Sequence, residues 1–101
     1  MGEKKQIDRE RGRRLRRTRI ALGKQVGLSD GKEFAEAIGW SKQQLNNYEL
    51  GQSIPESAAA HLCSKFPGLT RDFIQAGKPD GLSWQMFRTL GLLPKGSVSG
   101  G

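Results

Sequence analysis

The chain has 101 residues, enough for one compact domain rather than two. No apolar run approaches the roughly 20 residues that a membrane-spanning helix needs. The polar, charged amino terminus shows no signal peptide, so we expect a cytoplasmic protein. A single cysteine, Cys63, excludes an intrachain disulfide and is expected to pack as a small apolar group.

The net charge of +7 comes entirely from the first quarter of the chain. Residues 1–24 contain ten basic and three acidic side chains, whereas residues 25–101 contain seven of each. Such a basic block favours a polyanion, because each neutralised phosphate releases condensed counterions. Duplex DNA, RNA and an acidic membrane surface all fit the charge, although the block lacks the bulky apolar face of a membrane anchor.

A first helix is predicted from Asp8, as its N-cap, to about Leu22, with Gly23 ending it. We expect residues 1–7 to be flexible. Residues 24–29, KQVGLS, are expected to form a loop.

One inward position of this helix is charged. Leu15, Arg19 and Leu22 fall at i, i+4 and i+7, so they share one face. Because a buried unpaired charge is costly, Arg19 needs a partner, and Glu49 is the obvious candidate. The remaining arginines of the helix are expected to point away from the core.

Residues 30–51, DGKEFAEAIGWSKQQLNNYELG, predict two short helices joined by a tight turn. The first runs from Gly31 to about Ile38. Asp30 opens it with a capping-box spacing, and Gly39 can adopt the left-handed conformation that often ends a helix.

The second helix begins with a capping box at Ser41 and Gln44 and ends at Gly51. Leu45 and Tyr48 are its inward positions. Its outward face has amide and amine side chains and no carboxylate, so it can offer donors and acceptors to base edges in a DNA major groove. These outward residues are Lys42, Gln43, Gln44, Asn46 and Asn47.

A fourth helix is predicted from about Pro55 to about Phe66, and a fifth from the cap at Thr70 to Gly77. Residues 78–94 are expected to form a turn followed by a short amphipathic helix. Residues 95–101 are expected to be flexible.

The last predicted helix carries Trp84, Phe87 and Leu90 at i, i+3 and i+6. It either completes the domain core or forms a dimer contact, and the pattern fits both.

Catalytic chemistry is not indicated by the sequence. The chain has one histidine and one cysteine, and it lacks a glycine-rich phosphate loop and a metal-ligand cluster. We therefore expect no enzyme, no cofactor and no metal site. His61 is expected to be a partly exposed helix residue.

The stretch 31–51 resembles the helix-turn-helix of the lambda-repressor-like (Xre/Cro) DNA-binding family. The matching features, in order, are Ala35 at the helix crossing, Gly39 in the turn, Trp40, the cap Ser41, Leu45, the ending Tyr48-Glu49-x-Gly51, and Pro55. Residues 69–82, LTRDFIQAGKPDGL, also resemble Xre-like regulators from alphaproteobacteria. A bacterial or phage origin follows from this resemblance.

The resemblance implies a compact all-α domain of five to six helices, spanning 8–77, with the helix-turn-helix at about 31–51. Members of the family are DNA-binding regulators, and a repressor reading the major groove with helix 42–50 is the expected function. We expect a homodimer on a palindromic operator in double-stranded DNA, associated with the bacterial nucleoid when bound.

The resemblance also implies roles for individual residues. The base contacts are expected from Lys42, Gln43, Gln44 and Asn47. The phosphate contacts are expected from Arg13, Arg14, Arg17, the backbone of Gly31, Ser41, Gln52 and Ser53. Arg19 and Glu49 would form a structural ion pair. The chain departs from the family at Gly31, where a glutamine is common, and in a longer connection before it.

Two alternatives belong to other functional classes. One is a protein-interaction module, such as an antitoxin or anti-activator, that binds a partner through Trp84 and Phe87. The other is an RNA or nonspecific nucleic-acid binder that relies on the arginine block.

Overall fold

The computed structural model describes residues 2–28 and 30–92 of the chain. These residues form six α-helices and contain no strand. The helices are α1 (Gly2–Val26), α2 (Gly31–Ala37), α3 (Lys42–Glu49), α4 (Glu56–Lys65), α5 (Arg71–Ala76) and α6 (Trp84–Thr89). The predicted all-α class is therefore confirmed. Met1, residue 29 and the predicted tail 95–101 lie outside the described residues.

Helix α1 begins earlier than the sequence predicted. It starts at Gly2 rather than Asp8, so residues 2–7 are helical instead of irregular. The residues that follow Gly2 are good helix formers, and nothing in the sequence stops the helix from extending through them. Asp8 is not a cap: its Oδ1 accepts a hydrogen bond from Arg11 NH1 at 3.0 Å.

Helix α1 also ends later than predicted, because it continues through Gly23 to Val26. Gly27, with φ of +77°, takes the left-handed conformation that the helix end requires. The N–H of Leu28 donates to the carbonyl of Gly23 at 2.8 Å, the pairing of a Schellman motif. The predicted loop at 24–29 is correspondingly shorter.

The turn between α2 and α3 follows the sequence closely. Asp30 caps α2 by accepting from the N–H of Lys32 at 3.1 Å, and Gly39 has φ of +82°. Ser41 caps α3 by accepting from the N–H of Gln44 at 3.0 Å. Both caps satisfy backbone donors that a helix start otherwise leaves unpaired.

A single apolar core joins all six helices. Phe34 of α2 stacks on Phe66 at the end of α4, with ring centroids 5.6 Å apart. Cys63 is half-buried beside this core, and burial raises the pKa of its thiol. The buried apolar residues are Leu15, Leu22, Phe34, Ala35, Ile38, Trp40, Leu45, Tyr48, Ile54, Ala58, Ala59, Leu62, Leu69, Phe73, Ile74 and Met86.

Helix α6 packs on the core through one side of its short length. Met86 is its buried residue, while Trp84 is 66% exposed. The helix therefore contributes to the core through Met86, with Leu90 packed against it. None of the described helices is long and apolar enough to cross a membrane.

Candidate nucleic-acid interface

Helix α1 packs closely against α3 and helps to fix its position. A Cβ atom added at Gly12 would lie 2.6 Å from the Glu49 carbonyl oxygen and 2.7 Å from that of Tyr48. Any side chain at this position would push the two helices apart. Gly12 therefore lets α1 cross directly over the carboxyl end of α3, a role that sequence analysis did not assign to it.

An ion pair locks the same crossing. Arg19 Nε lies 2.5 Å from Glu49 Oε2, and Arg19 NH2 lies 3.3 Å from Oε1. The two side chains are 13% and 10% exposed, so the pair is largely removed from solvent. This is the Arg19–Glu49 pair that the sequence predicted, and its two-point geometry fixes the rotation of α3 about its own axis.

The turn of the helix-turn-helix is held from behind by α4. His61 Nε2 lies 2.5 Å from the carbonyl oxygen of Ile38, and because a carbonyl only accepts, Nε2 carries the proton. The same ring stacks on Trp40, which meets Tyr48 edge to face at 5.4 Å. The histidine that sequence analysis treated as a partly exposed helix residue thus supports the turn.

The outward side of α3 carries the predicted base-contacting residues. Lys42 and Gln43 are exposed, and Asn47 is partly exposed one turn later. Gln43 Nε2 donates to Asn47 Oδ1 at 2.9 Å, which joins two of these side chains. Gln44 differs, because its amide reaches forward to the hydroxyl of Tyr48 at 3.4 Å rather than back to Ser41.

Amide groups thus dominate this surface, and they retain free hydrogen-bonding capacity. After the bond between them, Gln43 keeps its Oε1 acceptor and Asn47 keeps its Nδ2 donor. The carboxylate of Glu49 is turned inward to Arg19. No group of three or more potential metal-ligating side chains occurs within the described residues.

The predicted phosphate-contacting arginines separate into two groups. Arg13 and Arg17 are exposed on the outer face of α1, four residues apart. Arg14 is turned inward, and its NH2 donates to the carbonyl of Ile74 at 3.1 Å. The Arg14 side chain is thus bonded to the end of α5, and its predicted phosphate contact stays a prediction.

Arg11 takes part in the same arrangement. Its Nε donates to the carbonyl of Gln75 at 2.8 Å, next to the carbonyl that Arg14 binds. Burial lowers the pKa of Arg14, and the neighbouring charge of Arg11 lowers it further. Two cations at the carboxyl end of α5 satisfy free carbonyls and oppose the negative end of the helix dipole.

The remaining predicted phosphate contacts surround the ends of α2 and α3. Ser41 and Gln52 are exposed at either end of α3. Ser53 is also exposed, and its hydroxyl donates to Asp8 Oδ2 at 3.3 Å, linking this loop to α1. Gly31, the first residue of α2, lies beside the guanidinium of Arg19.

The chain matches the model of a known protein family. A family model described as Helix-turn-helix matches residues 15–74, which is more than half of the chain. The searches of curated proteins and of solved structures gave no match.

Proposed function

Because the chain belongs to the lambda-repressor-like (Xre/Cro) family of DNA-binding helix-turn-helix domains, we propose that it is a sequence-specific transcriptional regulator. The reading element is α3, inserted in the major groove of duplex DNA. The observation that carries the proposal is the outward face of α3, where Lys42, Gln43 and Asn47 present amide and amine groups and no carboxylate.

The chemistry of these side chains matches the major-groove edges of the bases. Lys42 can donate to O6 and N7 of guanine. Gln43 and Asn47 each carry a donor and an acceptor, which suit N7 and N6 of adenine. Each good contact contributes about 1–3 kcal/mol of discrimination against the wrong base.

The hydrogen bond between Gln43 and Asn47 supports the proposal that these two side chains recognise bases together. An amide that is already oriented loses less side-chain entropy when it binds. The pair retains one outward acceptor and at least one outward donor, so bonding between the two amides leaves both free to contact bases.

Phosphate contacts would supply the sequence-independent part of the affinity. Arg13 and Arg17 are exposed and free to approach the backbone, while Ser41, Gln52 and Ser53 border the reading helix. The backbone N–H of Gly31, at the start of α2, completes this set. Each phosphate neutralised by a cation steepens the salt dependence of binding.

The regulator acts as a homodimer that occupies a palindromic operator and represses transcription. Two copies related by a two-fold axis place their α3 helices in successive major grooves, about one helical turn apart. The half-site spacing of an operator would report this arrangement directly.

A second candidate function is a protein-interaction module on the same fold. Trp84 is 66% exposed and stacks on Phe87, with ring centroids 6.0 Å apart. Together with Pro79, Asp80 and Leu82 these rings line a shallow surface groove. An exposed aromatic surface of this kind is typical of a protein-binding site. Such a site is compatible with DNA binding by α3.

Selection from a pool of random duplex DNA at about 0.15 M salt tests the proposal, because the sequence-independent contribution is already weakened there. We expect an enriched inverted repeat. Enrichment of a single half-site would contradict the homodimer, but it would not contradict base recognition by α3.

The absence of enrichment, with binding that vanishes as salt rises, would overturn sequence-specific recognition. The nonspecific or protein-interaction alternatives would then be favoured. The variant Trp84→Ala separates these two alternatives, because it should weaken a protein complex and leave nonspecific DNA binding unchanged.

A further inference from the structure

Leu50 stands out among the surface residues of the protein. Its side chain is 73% exposed, the highest value among the large hydrophobic residues in the described part of the chain. It follows α3 directly and makes no contribution to the apolar core. A single exposed leucine is ordinary on a protein surface, and Leu50 is distinguished by its position.

Leu50 lies on the outward stripe of α3, which we define as Gln43, Asn47 and Leu50. The N–H of Leu50 donates to the carbonyl of Asn46 at 3.0 Å, and its φ and ψ of −86° and −4° continue the helical path. Gln43, Asn47 and Leu50 therefore follow one another at i, i+4 and i+7. Residues at this spacing share one face of a helix.

The hydrogen bond between Gln43 and Asn47 independently identifies this face. The neighbouring positions face elsewhere: Glu49 is paired with Arg19, and Tyr48 is buried. Leu50 thus adds an apolar side chain to the face of α3 that carries the amides of Gln43 and Asn47.

The major groove presents one prominent apolar group, the C5-methyl of thymine. We propose that Leu50 is a specificity-determining residue that contacts a thymine methyl at the edge of the half-site. The outward stripe then reads bases by hydrogen bonds at Gln43 and Asn47 and by apolar contact at Leu50. This inference rests on the proposed function, since it requires α3 to lie in the major groove.

The spacing along α3 gives the approximate location of the thymine. Seven residues of α-helix cover about 10 Å, which corresponds to about three base-pair steps when the helix follows the groove. The thymine should therefore lie about three base pairs from the base read by Gln43.

Deoxyuridine substitution tests the contact, because it removes only the methyl group from thymine. Each thymine of the selected site is replaced singly, and the dissociation constant is measured for the full chain and for Leu50→Ala. We expect one position per half-site at which wild-type binding weakens about threefold to fourfold, as for a lost buried methylene-sized group. Leu50→Ala should bind the two DNAs equally at that position.

Two variants serve as controls. Leu50→Met keeps an apolar side chain and should retain the sensitivity to the missing methyl. Ile20→Ala removes an exposed aliphatic side chain from α1 and should also retain it. Because Leu50 is exposed, its variants should fold, and circular dichroism verifies this for each.

The proposal is overturned if Leu50→Ala keeps the full deoxyuridine effect at every thymine. It is also overturned if Leu50→Ala dissociates a dimer while thymine preference is unchanged, because the leucine would then contact protein. Failure of the random pool to enrich any sequence would overturn the proposed function together with this inference. The first two outcomes remove the leucine contact alone.

Discussion

The inner and outer faces of α3 are built in different ways. On the inner face, Gly12 brings α1 against the backbone of α3, and a largely buried Arg19–Glu49 pair locks the crossing. On the outer face, the side chains are exposed or partly exposed, and a hydrogen bond joins Gln43 to Asn47. The difference indicates that substitutions can change the orientation of α3 and its recognition of bases separately.

Helix α1 shows the same division among its arginines. Arg11 and Arg14 turn inward and bind the carbonyl groups that end α5. Arg13 and Arg17 stay exposed. Substitutions on inner faces should therefore change the free energy of unfolding, whereas substitutions on outer faces should change DNA binding.

Arg19→Ala is expected to have the largest effect on stability. It leaves the carboxylate of Glu49 buried without its partner, which typically costs about 3–5 kcal/mol. Urea denaturation measures the loss. The matched control Arg17→Ala removes an exposed arginine from the same helix and should change stability by less than about 0.5 kcal/mol.

Equal losses for Arg19→Ala and Arg17→Ala would contradict the division into faces. A double variant, Arg19→Leu with Glu49→Leu, sharpens the test. It removes both charges, so it should recover much of the stability lost in the single variant.

Gly12→Ala is expected to destabilise the protein less strongly. The added Cβ would meet backbone oxygens at 2.6 and 2.7 Å, and such overpacking costs about 1–3 kcal/mol. The better helix propensity of alanine offsets up to about 1 kcal/mol of this. Thermal unfolding of the variant checks the net effect.

Gly31→Ala provides the control for Gly12→Ala. A Cβ at Gly31 would meet Arg19 NH1 at 3.5 Å, an ordinary contact, so alanine should be tolerated. A Gly12→Ala variant as stable as this control would show that α1 can cross α3 without the glycine.

Arg14→Ala and Arg13→Ala form a pair of adjacent substitutions with different expected outcomes. Arg14→Ala loses a hydrogen bond from a charged donor to the end of α5, and we expect about 1–2 kcal/mol of destabilisation. Arg13→Ala should leave stability unchanged. Its effect should be a salt slope of DNA binding that is shallower by about one.

Chemical denaturation and DNA titrations at several salt concentrations separate the two variants. If Arg14→Ala left stability intact and flattened the salt slope, its guanidinium would have to face DNA. The inward position of the Arg14 side chain would then not hold in the DNA-bound protein.

The helix-turn-helix could be predicted because its signals are local. The cap at Ser41, the glycine at Gly39 and the inward pair Leu45 and Tyr48 each depend on neighbours within a few residues. The pairing of Arg19 with a glutamate thirty residues away came from family resemblance and from the cost of an unpaired buried charge.

Features that depend on tertiary packing were missed. Gly23 and Gly27 are both suitable helix ends, and the sequence alone did not distinguish them. The inward turn of Arg14 depends on where the carboxyl end of α5 lies. In α6, both Trp84 and Met86 are large and apolar, so the buried one is decided by the approach of the helix to the core.

The most direct test of the reading face is the specificity ratio of Gln43→Ala. The ratio compares the affinity for the selected site with the affinity for random duplex DNA at one salt concentration. We expect it to fall about 5-fold to 150-fold, corresponding to about 1–3 kcal/mol, while Arg13→Ala leaves it unchanged. An unchanged ratio in a folded Gln43→Ala protein would contradict the assignment of α3 as the reading helix.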